Sequence, residues 1–226
     1  MDVPYPAGWP RTEAEAVAIQ DQLRHRVSTT GSAAGVRRAA GLDVAYATDS
    51  SRSAAAVVVL DIDGVEVVEE QTSTGESAFP YVPGLLAFRE LPGLLDALAR
   101  VRATPDVLIC DGYGVAHPRR FGLASHIGVL TGLPSIGVAK TPFVGRYRNP
   151  APERGAYSDL LDGDEVIGRV LRTRSGVKPV FVSVGHAIDL ADACDLVLRL
   201  SPAYRLPQPI RAADRLSREA LAAGRR

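Results

Sequence analysis

The hydrophobic pattern of this chain changes its period near Pro83-Gly84, and that change limits the folds that the chain can adopt. Three runs rich in strand-forming residues precede it: residues 38–46, 54–60 and 65–70. Between the last two runs stands Asp63-Gly64, which is a strong hairpin signal. This half of the chain therefore predicts an antiparallel three-strand meander.

Beyond the change, strands and helices alternate. Leucines from Leu85 to Leu98 recur at helical spacing and predict an amphipathic helix that is interrupted or kinked near Pro92. The predicted strands are residues 106–110, 135–138, 165–172 and 179–183. The predicted helices, with one ahead of the meander, are residues 13–27, 121–131, 189–200 and 210–223. Residues 146–163 are interpreted as a loop. Alternation implies parallel pairing in this half, so we predict an α/β fold with a mixed sheet flanked by helices.

Length and charge set further limits. With 226 residues and 46% hydrophobic composition, the chain is long enough for one large core, and we predict a single domain over residues 1–226. Basic and acidic residues balance at 26 each, so the whole chain is not a strongly basic nucleic-acid binder. Residues 112–178 hold ten basic and five acidic side chains. This local excess is either a nucleic-acid footprint or an ordinary mixed-charge surface.

Cysteine usage and hydropathy bear on the compartment. Cys110 and Cys194 are far apart and belong to no Cys/His cluster, so neither a disulfide framework nor a structural zinc site is indicated. Residues 1–6 lack the basic and apolar regions of a signal peptide, and no stretch approaches the roughly 20 apolar residues of a membrane span. We expect a cytoplasmic protein that makes no membrane contact and acts as a monomer.

Two aspartates interrupt apolar runs that otherwise resemble buried strands. Asp43 lies inside residues 39–46, and Asp111 directly follows residues 107–110. An unpaired buried carboxylate costs several kcal/mol or more, so such a group protonates, finds a cation or binds a metal. The alternatives are that Asp43 ends an edge strand and that Asp111-Gly112 begins a turn. Taken together, the two positions favour a divalent ion.

Two further carboxylates lie in line with the apolar stripes of predicted helices. Glu90 is four residues after Leu86, and Asp214 is four residues after Ile210. Alternatively, Glu90 reaches water from the flank of its helix, and Asp214 is a surface residue paired with an arginine. If all four carboxylates meet at one end of the sheet, they suit Mg²⁺ or Mn²⁺ and metal-assisted phosphodiester hydrolysis.

A lysine and two histidines complete the candidate residues. Lys140 follows the strand at residues 135–138 and is expected at the rim where Asp111 emerges, to bind phosphate or orient water. His117 follows a Gly-rich turn and is interpreted either as a contact to a substrate backbone or as a turn residue. His126 lies among apolar residues of a predicted helix and is interpreted as a hydrogen-bonded packing residue.

These residues belong to a set of motifs that resembles the endonuclease V family of inosine-directed repair nucleases. The motifs cover most of the chain, in this order: residues 41–46, 80–90, 111–114, 117–122, 135–140, 183–186, 205–207 and 213–214. The resemblance implies a ribonuclease H-like fold that uses Mg²⁺, with Mn²⁺ able to substitute. It assigns the catalytic metal ligands and the lysine beside the scissile phosphate to Asp43, Glu90, Asp111, Asp214 and Lys140.

The resemblance also implies a substrate and a mode of recognition. The family nicks DNA at the second phosphodiester bond 3′ to deoxyinosine and leaves 3′-hydroxyl and 5′-phosphate ends. Its strand-separating wedge corresponds to Pro80, Tyr81, Val82, Pro83 and Gly84, in which stiff prolines carry an aromatic ring that can stack on bases. The rotated base would enter a pocket that backbone can approach closely at three glycines: Gly84, Gly112 and Gly137. The sequence departs from the family's Asp-Gly-x-Gly turn at Tyr113, where His or Asn is typical.

Three other functions stay open on the sequence alone. One is another ribonuclease H-like nuclease that acts on inosine-containing RNA, RNA–DNA hybrids or branched DNA, since fold does not determine function. A second is an ATP-dependent, sugar-kinase-like protein, but the residues after Asp43 lack a Gly-rich phosphate turn and the chain is short for two lobes. The third is a nucleic-acid-binding module without catalysis.

Overall fold

One mixed sheet organises the chain. The computed structural model describes residues 8–48 and 50–224, so the opening residues 1–6 considered above lie outside the described part. In that part, eight strands pair in the order β3-β2-β1-β4-β5-β8-β7-β6. The strands are β1 Arg38–Tyr46, β2 Arg52–Asp61, β3 Glu66–Glu76, β4 Val107–Asp111, β5 Ser135–Ala139, β6 Tyr157–Asp162, β7 Glu165–Leu171 and β8 Val180–His186. The α-helices are α1 Glu13–Leu23, α2 Leu86–Ala99, α3 Leu123–Thr131, α4 Leu190–Arg199 and α5 Gln208–Ala223.

The predicted meander is confirmed. Strands β1, β2 and β3 pair antiparallel in succession, and β3 continues six residues beyond its predicted end at residue 70. The first helix also begins where predicted, because Thr12 and Glu15 form a reciprocal capping box at its start. It ends at Leu23, and residues 24–26 form a 3-10 turn instead of the predicted continuation to residue 27.

The prediction of parallel pairing in the second half is only partly correct. Strand β4 pairs parallel with both β1 and β5, but the pairs β5–β8, β8–β7 and β7–β6 are antiparallel. The loop interpretation of residues 146–163 is wrong for β6, which forms a hairpin with β7. β6 is an edge strand in which only Leu160 is buried, so it lacks the alternation by which a strand is recognised in a sequence.

Helices cover both faces of the sheet. On one face, α2 and α3 pack in a cluster with Leu42 and Leu108, whereas α4 and the first turn of α5 pack with Ile109 and Ile136 on the other. The carboxyl ends of the parallel strands β1, β4 and β5 meet at one edge between these layers, where open α/β sheets bind ligands. Among the described helices, none combines the length and the apolar character needed to cross a bilayer.

The helix that carries Glu90 continues through Pro92, so of the predicted interruption or kink the interruption is wrong. α2 runs through Pro92 as one helix of 14 residues. Proline has no backbone N–H, so the carbonyl of Phe88, four residues earlier, loses its helical donor. The indole N–H of Trp9 donates to this carbonyl at 2.7 Å. A side chain from ahead of α1 thus satisfies the acceptor that Pro92 leaves unpaired.

Candidate active site

Two aspartates lie side by side at the carboxyl ends of central strands. In the parallel pair β1–β4, Leu42 is the partner of Cys110, so the next residues of the two strands, Asp43 and Asp111, are neighbours at about the 5 Å strand spacing. Strand β1 has β2 on its other side, with Asp43 opposite Ala56. This excludes the alternative in which Asp43 ends an edge strand.

Helices from opposite faces of the sheet bring two more carboxylates to the same edge. Glu90 comes from α2 and Asp214 from α5. Burial raises the pKa of Glu90 to about 8, and repulsion from Asp43 and Asp111 adds to this effect. Burial likewise raises the pKa of Asp43 to about 6, with further repulsion from Asp111 and Asp214. Asp43 is therefore within electrostatic reach of the other three predicted carboxylates.

Each of the two more peripheral carboxylates is engaged by a cation. Lys140 directly follows β5, and its Nζ lies 2.5 Å from Oδ2 of Asp111. Arg218 lies 2.8 Å from Oδ1 of Asp214, so the ion pair that the sequence offered as an alternative is present. In this arrangement no three acidic, histidine or cysteine side chains among the described residues stand at metal-binding spacing. The donors are nevertheless the hard oxygens that Mg²⁺ and Mn²⁺ prefer.

Hydroxyl groups from neighbouring elements bond to Asp43 and Glu90, the two inner carboxylates. The Ser217 hydroxyl on α5 donates to Asp43 at 3.0 Å, and the Tyr46 hydroxyl on β1 donates to Glu90 at 3.4 Å. The hydrogen bond from Ser217 lowers the pKa of Asp43 and opposes part of the effect of burial. These two bonds orient the carboxylates that burial would otherwise drive toward protonation.

A glycine explains why α5 approaches β1 closely enough for this contact. A Cβ built on Gly41 would lie 2.1 Å from the carbonyl carbon and oxygen of Pro209, at the start of α5. Side chains two residues apart on a strand point to the same face, so Gly41 opens the face that Asp43 shares. Because residue 41 has no side chain, α5 packs directly on β1, and this brings Ser217 and Asp214 toward Asp43.

A cavity of about 130 Å³ lies beside the carboxylates. It shares α2 with Glu90 and the turn after β4 with Asp111, and its lining is mainly apolar and aromatic. The lining residues are Gln20, Tyr81, Val82, Pro83, Gly84, Leu86, Ala87, Tyr113, His117, Gly122, Leu123 and Phe143. Of the predicted wedge, Tyr81 is 69% exposed, whereas Val82, Pro83 and Gly84 form the wall below it. Pro80 precedes them and is not among the lining residues.

The wall is anchored through one carbonyl. Gly84 has φ of +84°, a left-handed conformation that glycine adopts at little cost. Its carbonyl oxygen accepts hydrogen bonds from Gln20, Arg119 and His117 at 2.9, 3.0 and 3.0 Å. His117 is 2% exposed, and its Nδ1 accepts from the amide of Arg119, so both ring nitrogens are engaged within the protein. Burial lowers the pKa of His117 to about 4, which keeps the ring neutral at pH 7.

The remaining predicted residues lie in and around the turn after β4. Gly112 is at φ +159°, which is extended backbone, and a Cβ there would make only ordinary contacts. A Cβ on Gly137 would lie 2.4 Å from the amide nitrogen of Gly114, so the turn itself packs on Gly137. The ring of Tyr113 is tilted against that of Phe143, with centroids 5.2 Å apart, and its hydroxyl donates a hydrogen bond to the carbonyl of Thr141. His126 packs against the rings of Phe88 and Phe121, as predicted, but its buried Nδ1 has no hydrogen-bond partner among the described residues, contrary to the prediction.

Comparison with known proteins identifies the family. The family model for Endonuclease V matches residues 21–215. The chain belongs to the endonuclease V family. A curated Endonuclease V from Streptomyces avermitilis is 57% identical over 218 residues, which cover 96% of this chain and 95% of the relative. The crystal structure of Endonuclease V from the same organism has a TM-score of 0.93 at 55% identity and covers 100% of both chains.

More distant endonuclease V structures retain the fold. Endonuclease V from Ciona intestinalis, in complex with DNA that contains an inosine followed by a ribo-adenosine, has a TM-score of 0.83 at 30% identity and covers 93% of this chain and 98% of the relative. An Aquifex aeolicus Argonaute, at 17% identity and a TM-score of 0.52, covers 82% of this chain and 28% of its own length and shares the fold alone. The ribonuclease H-like α/β fold predicted for an endonuclease V is confirmed.

Several residues of this endonuclease V site were not assigned from the sequence. Ser217 and Tyr46 hold the inner carboxylates, and Phe143 contributes to the cavity wall. Arg205 donates from one Nη2 to the carbonyls of Lys140 and Pro179 at 2.6 and 2.8 Å, and so ties the ends of β5 and β8. Gln20 was the one detectable case, because it is a polar residue in the apolar stripe of the first helix.

Gly41→Ala tests the close approach of α5 to β1. The added methyl group must push the start of α5 away from the sheet, so we expect the free energy of unfolding to fall by about 1–3 kcal/mol, measured by urea denaturation. Gly75→Ala in β3 is the matched control, because no atom lies within 4 Å of its Cβ position. Equal stability of the two variants would contradict the role given to Gly41.

Glu90→Gln tests the repulsion among the carboxylates. Because folding raises the pKa of Glu90 from its ordinary value of 4.5 to about 8, its ionisation favours the unfolded state, and the penalty grows as the pH rises between these values. In the presence of EDTA, the variant should therefore melt above the wild type at about pH 8, by about 2–4 °C per kcal/mol of penalty removed. The difference should shrink toward about pH 4.5. With the exposed Glu153→Gln as control, a pH-independent difference would contradict the argument.

Proposed function

We propose that this protein is a metal-dependent DNA repair endonuclease that nicks DNA at the second phosphodiester bond 3′ to deoxyinosine and leaves 3′-hydroxyl and 5′-phosphate ends. The observation that carries the proposal is the position of four carboxylates and Lys140 beside an apolar cavity walled by residues 82–84. Membership in the endonuclease V family supports it, as does the relative from Ciona intestinalis bound to inosine-containing DNA.

The metal would be held by Asp43, Glu90, Asp111 and Asp214. In support of this, burial raises the pKa of Asp43 and of Glu90, repulsion from neighbouring carboxylates adds to the effect, and a divalent cation would relieve that repulsion. All four donors are carboxylate groups. Side-chain rotation of Asp111 away from Lys140 and of Asp214 away from Arg218 would complete the set. Mg²⁺ or Mn²⁺, when bound, supplies polarisation of the phosphodiester and a deprotonated water.

The protein's own residues do the positioning. Lys140 is half-exposed at the edge of the sheet, where its ammonium group can bind the phosphate beside the scissile bond. Tyr81 projects its ring into solvent above the cavity, in a position to occupy the gap that a rotated base leaves in the stack. The hypoxanthine base would then lie among Leu86, Leu123 and Phe143, where the apolar surface excludes water.

Cleavage of inosine in RNA is a second candidate function. The DNA bound to the relative from Ciona intestinalis contains a ribo-adenosine directly after the inosine, so a ribonucleotide at that position is compatible with binding in that protein. Inosine-containing RNA and RNA–DNA hybrids therefore belong in the same assay. Mg²⁺ as the cofactor, a cytoplasmic location and a monomeric state stay predictions for this chain.

End-labelled duplexes test the proposal directly. With Mg²⁺, we expect a single nick between the 3′ neighbour of deoxyinosine and the nucleotide that follows it, and no cleavage of the matched deoxyadenosine duplex. The 3′-hydroxyl and 5′-phosphate ends of the nick should be resealed directly by DNA ligase. Parallel reactions use EDTA, Mn²⁺, inosine-containing RNA, an RNA–DNA hybrid and a four-way junction. Exclusive cleavage of the hybrid or the junction would reject the repair function.

Asp43→Ala separates catalysis from binding. Removing this carboxylate should reduce cleavage of the deoxyinosine duplex by about 100-fold or more, because metal-site residues contribute at least this much. Binding measured by fluorescence anisotropy in Ca²⁺ should be retained. Asp195→Ala, at an exposed position on α4, is the matched control. Unchanged cleavage by purified Asp43→Ala protein would reject the site assignment, whereas a wild-type protein that binds the duplex without cleaving it would be the non-catalytic binding module.

A further inference from the structure

Gln20 is a buried polar side chain on a helix that otherwise lies at the surface. It is 1% exposed, and only one other residue of α1, Ala16, is also buried. It lies just before the match to the family model begins, at residue 21. Burial of an amide is unfavourable unless its donors and acceptor are satisfied, so the partners of Gln20 show what the position is for.

The partners of Gln20 lie on opposite walls of the cavity. Its amide nitrogen donates to the carbonyl of Gly84 at 2.9 Å and to that of Phe121 at 3.1 Å. Gly84 closes the wall formed by residues 82–84, whereas Phe121 precedes Gly122 and Leu123 on the facing wall. One planar amide thus spans the gap between the two walls and fixes their separation.

The third partner, Arg119, bonds both to the Gln20 amide and to the Gly84 carbonyl that anchors residues 82–84. Nε of Arg119 donates to Oε1 of Gln20 at 2.5 Å, and Nη2 of Arg119 donates to the Gly84 carbonyl. Both amide hydrogens and the carbonyl oxygen of Gln20 are therefore in use within the protein. A base in the cavity could accept a hydrogen bond from Gln20 only by displacing Gly84 or Phe121, and the side chain is 1% exposed, so we assign Gln20 to positioning the walls.

Among the described residues, the segment 81–84 makes few other hydrogen bonds. Within the described part of the chain, the backbone of this segment makes a turn in which the amide of Leu85 donates to the carbonyl of Val82. The left-handed Gly84 carries the anchoring carbonyl, and Tyr81 above it is exposed. The separation of the walls therefore depends mainly on the donors that converge on the Gly84 carbonyl. His117 and Arg119 come from the segment that leads into Phe121, whereas Gln20 comes from α1 and bonds to both Gly84 and Phe121.

We propose that Gln20 is a positioning residue that sets the width of the base cavity and, through it, the selectivity of the enzyme for the damaged base. The proposal rests on the proposed function, because it takes the cavity to be the place where hypoxanthine binds. A cavity of fixed width holds one planar base between its walls, whereas walls free to separate accept undamaged purines and bind hypoxanthine less tightly.

Gln20→Met is the principal variant, because methionine has a similar length and can neither donate to the two carbonyls nor accept from Arg119. Gln20→Glu keeps the size and the pairing with Arg119 but lacks the two donors, and it serves if Gln20→Met does not fold. Gln22→Met is the matched control, since Gln22 is exposed on the same helix. Thermal unfolding establishes that each variant is folded before kinetics are measured.

The kinetic readout is the ratio of kcat/KM for the deoxyinosine duplex to that for the matched deoxyadenosine duplex. We expect this ratio to fall about 10-fold or more in both Gln20 variants, with a raised KM for deoxyinosine and a kcat within about threefold of the wild type. The control should keep the wild-type ratio. An unchanged ratio, or an equal fall in kcat on every substrate, would overturn the proposal.

Hydrogen–deuterium exchange gives a readout that does not depend on activity. Amides of residues 81–88 and 121–124 should exchange faster in both Gln20 variants and at the wild-type rate in Gln22→Met. If the wild type shows no preference for deoxyinosine, the proposed function fails, while exchange still tests whether Gln20 joins the walls. If the wild type prefers deoxyinosine and the variants keep both its preference and its exchange rates, the role of Gln20 is wrong. Faster exchange with unchanged preference also overturns it.

Discussion

Four carboxyl groups lie close together at one edge of the sheet, and the rest of the structure must oppose the repulsion that arises among them as they ionise. Strands β1 and β4 fix two of the carboxylates by their register, so these two cannot separate without breaking the centre of the sheet. The helices α2 and α5 supply the other two, and each is pressed against the sheet by a large buried face. Local partners complete the balance: hydroxyls at Asp43 and Glu90, and cations at Asp111 and Asp214. Hydrophobic packing thus holds an arrangement that its own electrostatics disfavour.

The same elements carry both the carboxylates and the cavity. Helix α2 presents Glu90 on one turn and Leu86 on the preceding turn, and the turn that follows Asp111 presents Tyr113. Any shift of α2 along the sheet would therefore move the Glu90 carboxylate and the cavity wall at Leu86 together. The close contacts made possible by Gly41 and Gly137 hold these elements at short range, because a side chain at either position would collide with backbone.

Much of this arrangement is visible in the sequence, since it follows from local patterns. Asp43 and Asp111 stand out because a carboxylate in an apolar run is unfavourable without a partner, and the meander follows from alternation and one turn dipeptide. Edge strand β6 could not be recognised, because Leu160 is its only buried residue and it shows no alternation. Antiparallel pairing of β8 could not be inferred either, since it depends on that missed hairpin. Ser217 and Arg205 act through bonds to residues far away in the chain, and no local pattern marks them. Gln20 was visible as part of a helical stripe, but only the fold shows what its amide joins.

The bond from Trp9 to the Phe88 carbonyl also gives the protein an internal optical reporter. Trp9 is the only tryptophan in the sequence, so all indole emission comes from a ring attached to the helix that bears Glu90. That ring stacks on the imidazole of His126, with ring centroids 6.4 Å apart. Burial lowers the pKa of His126 to about 3, so the imidazole stays uncharged near neutral pH. Quenching of the Trp9 emission by His126 therefore does not change with pH in this range. Changes in emission on addition of nucleic acid or metal would then report movement of α2 itself, without any label.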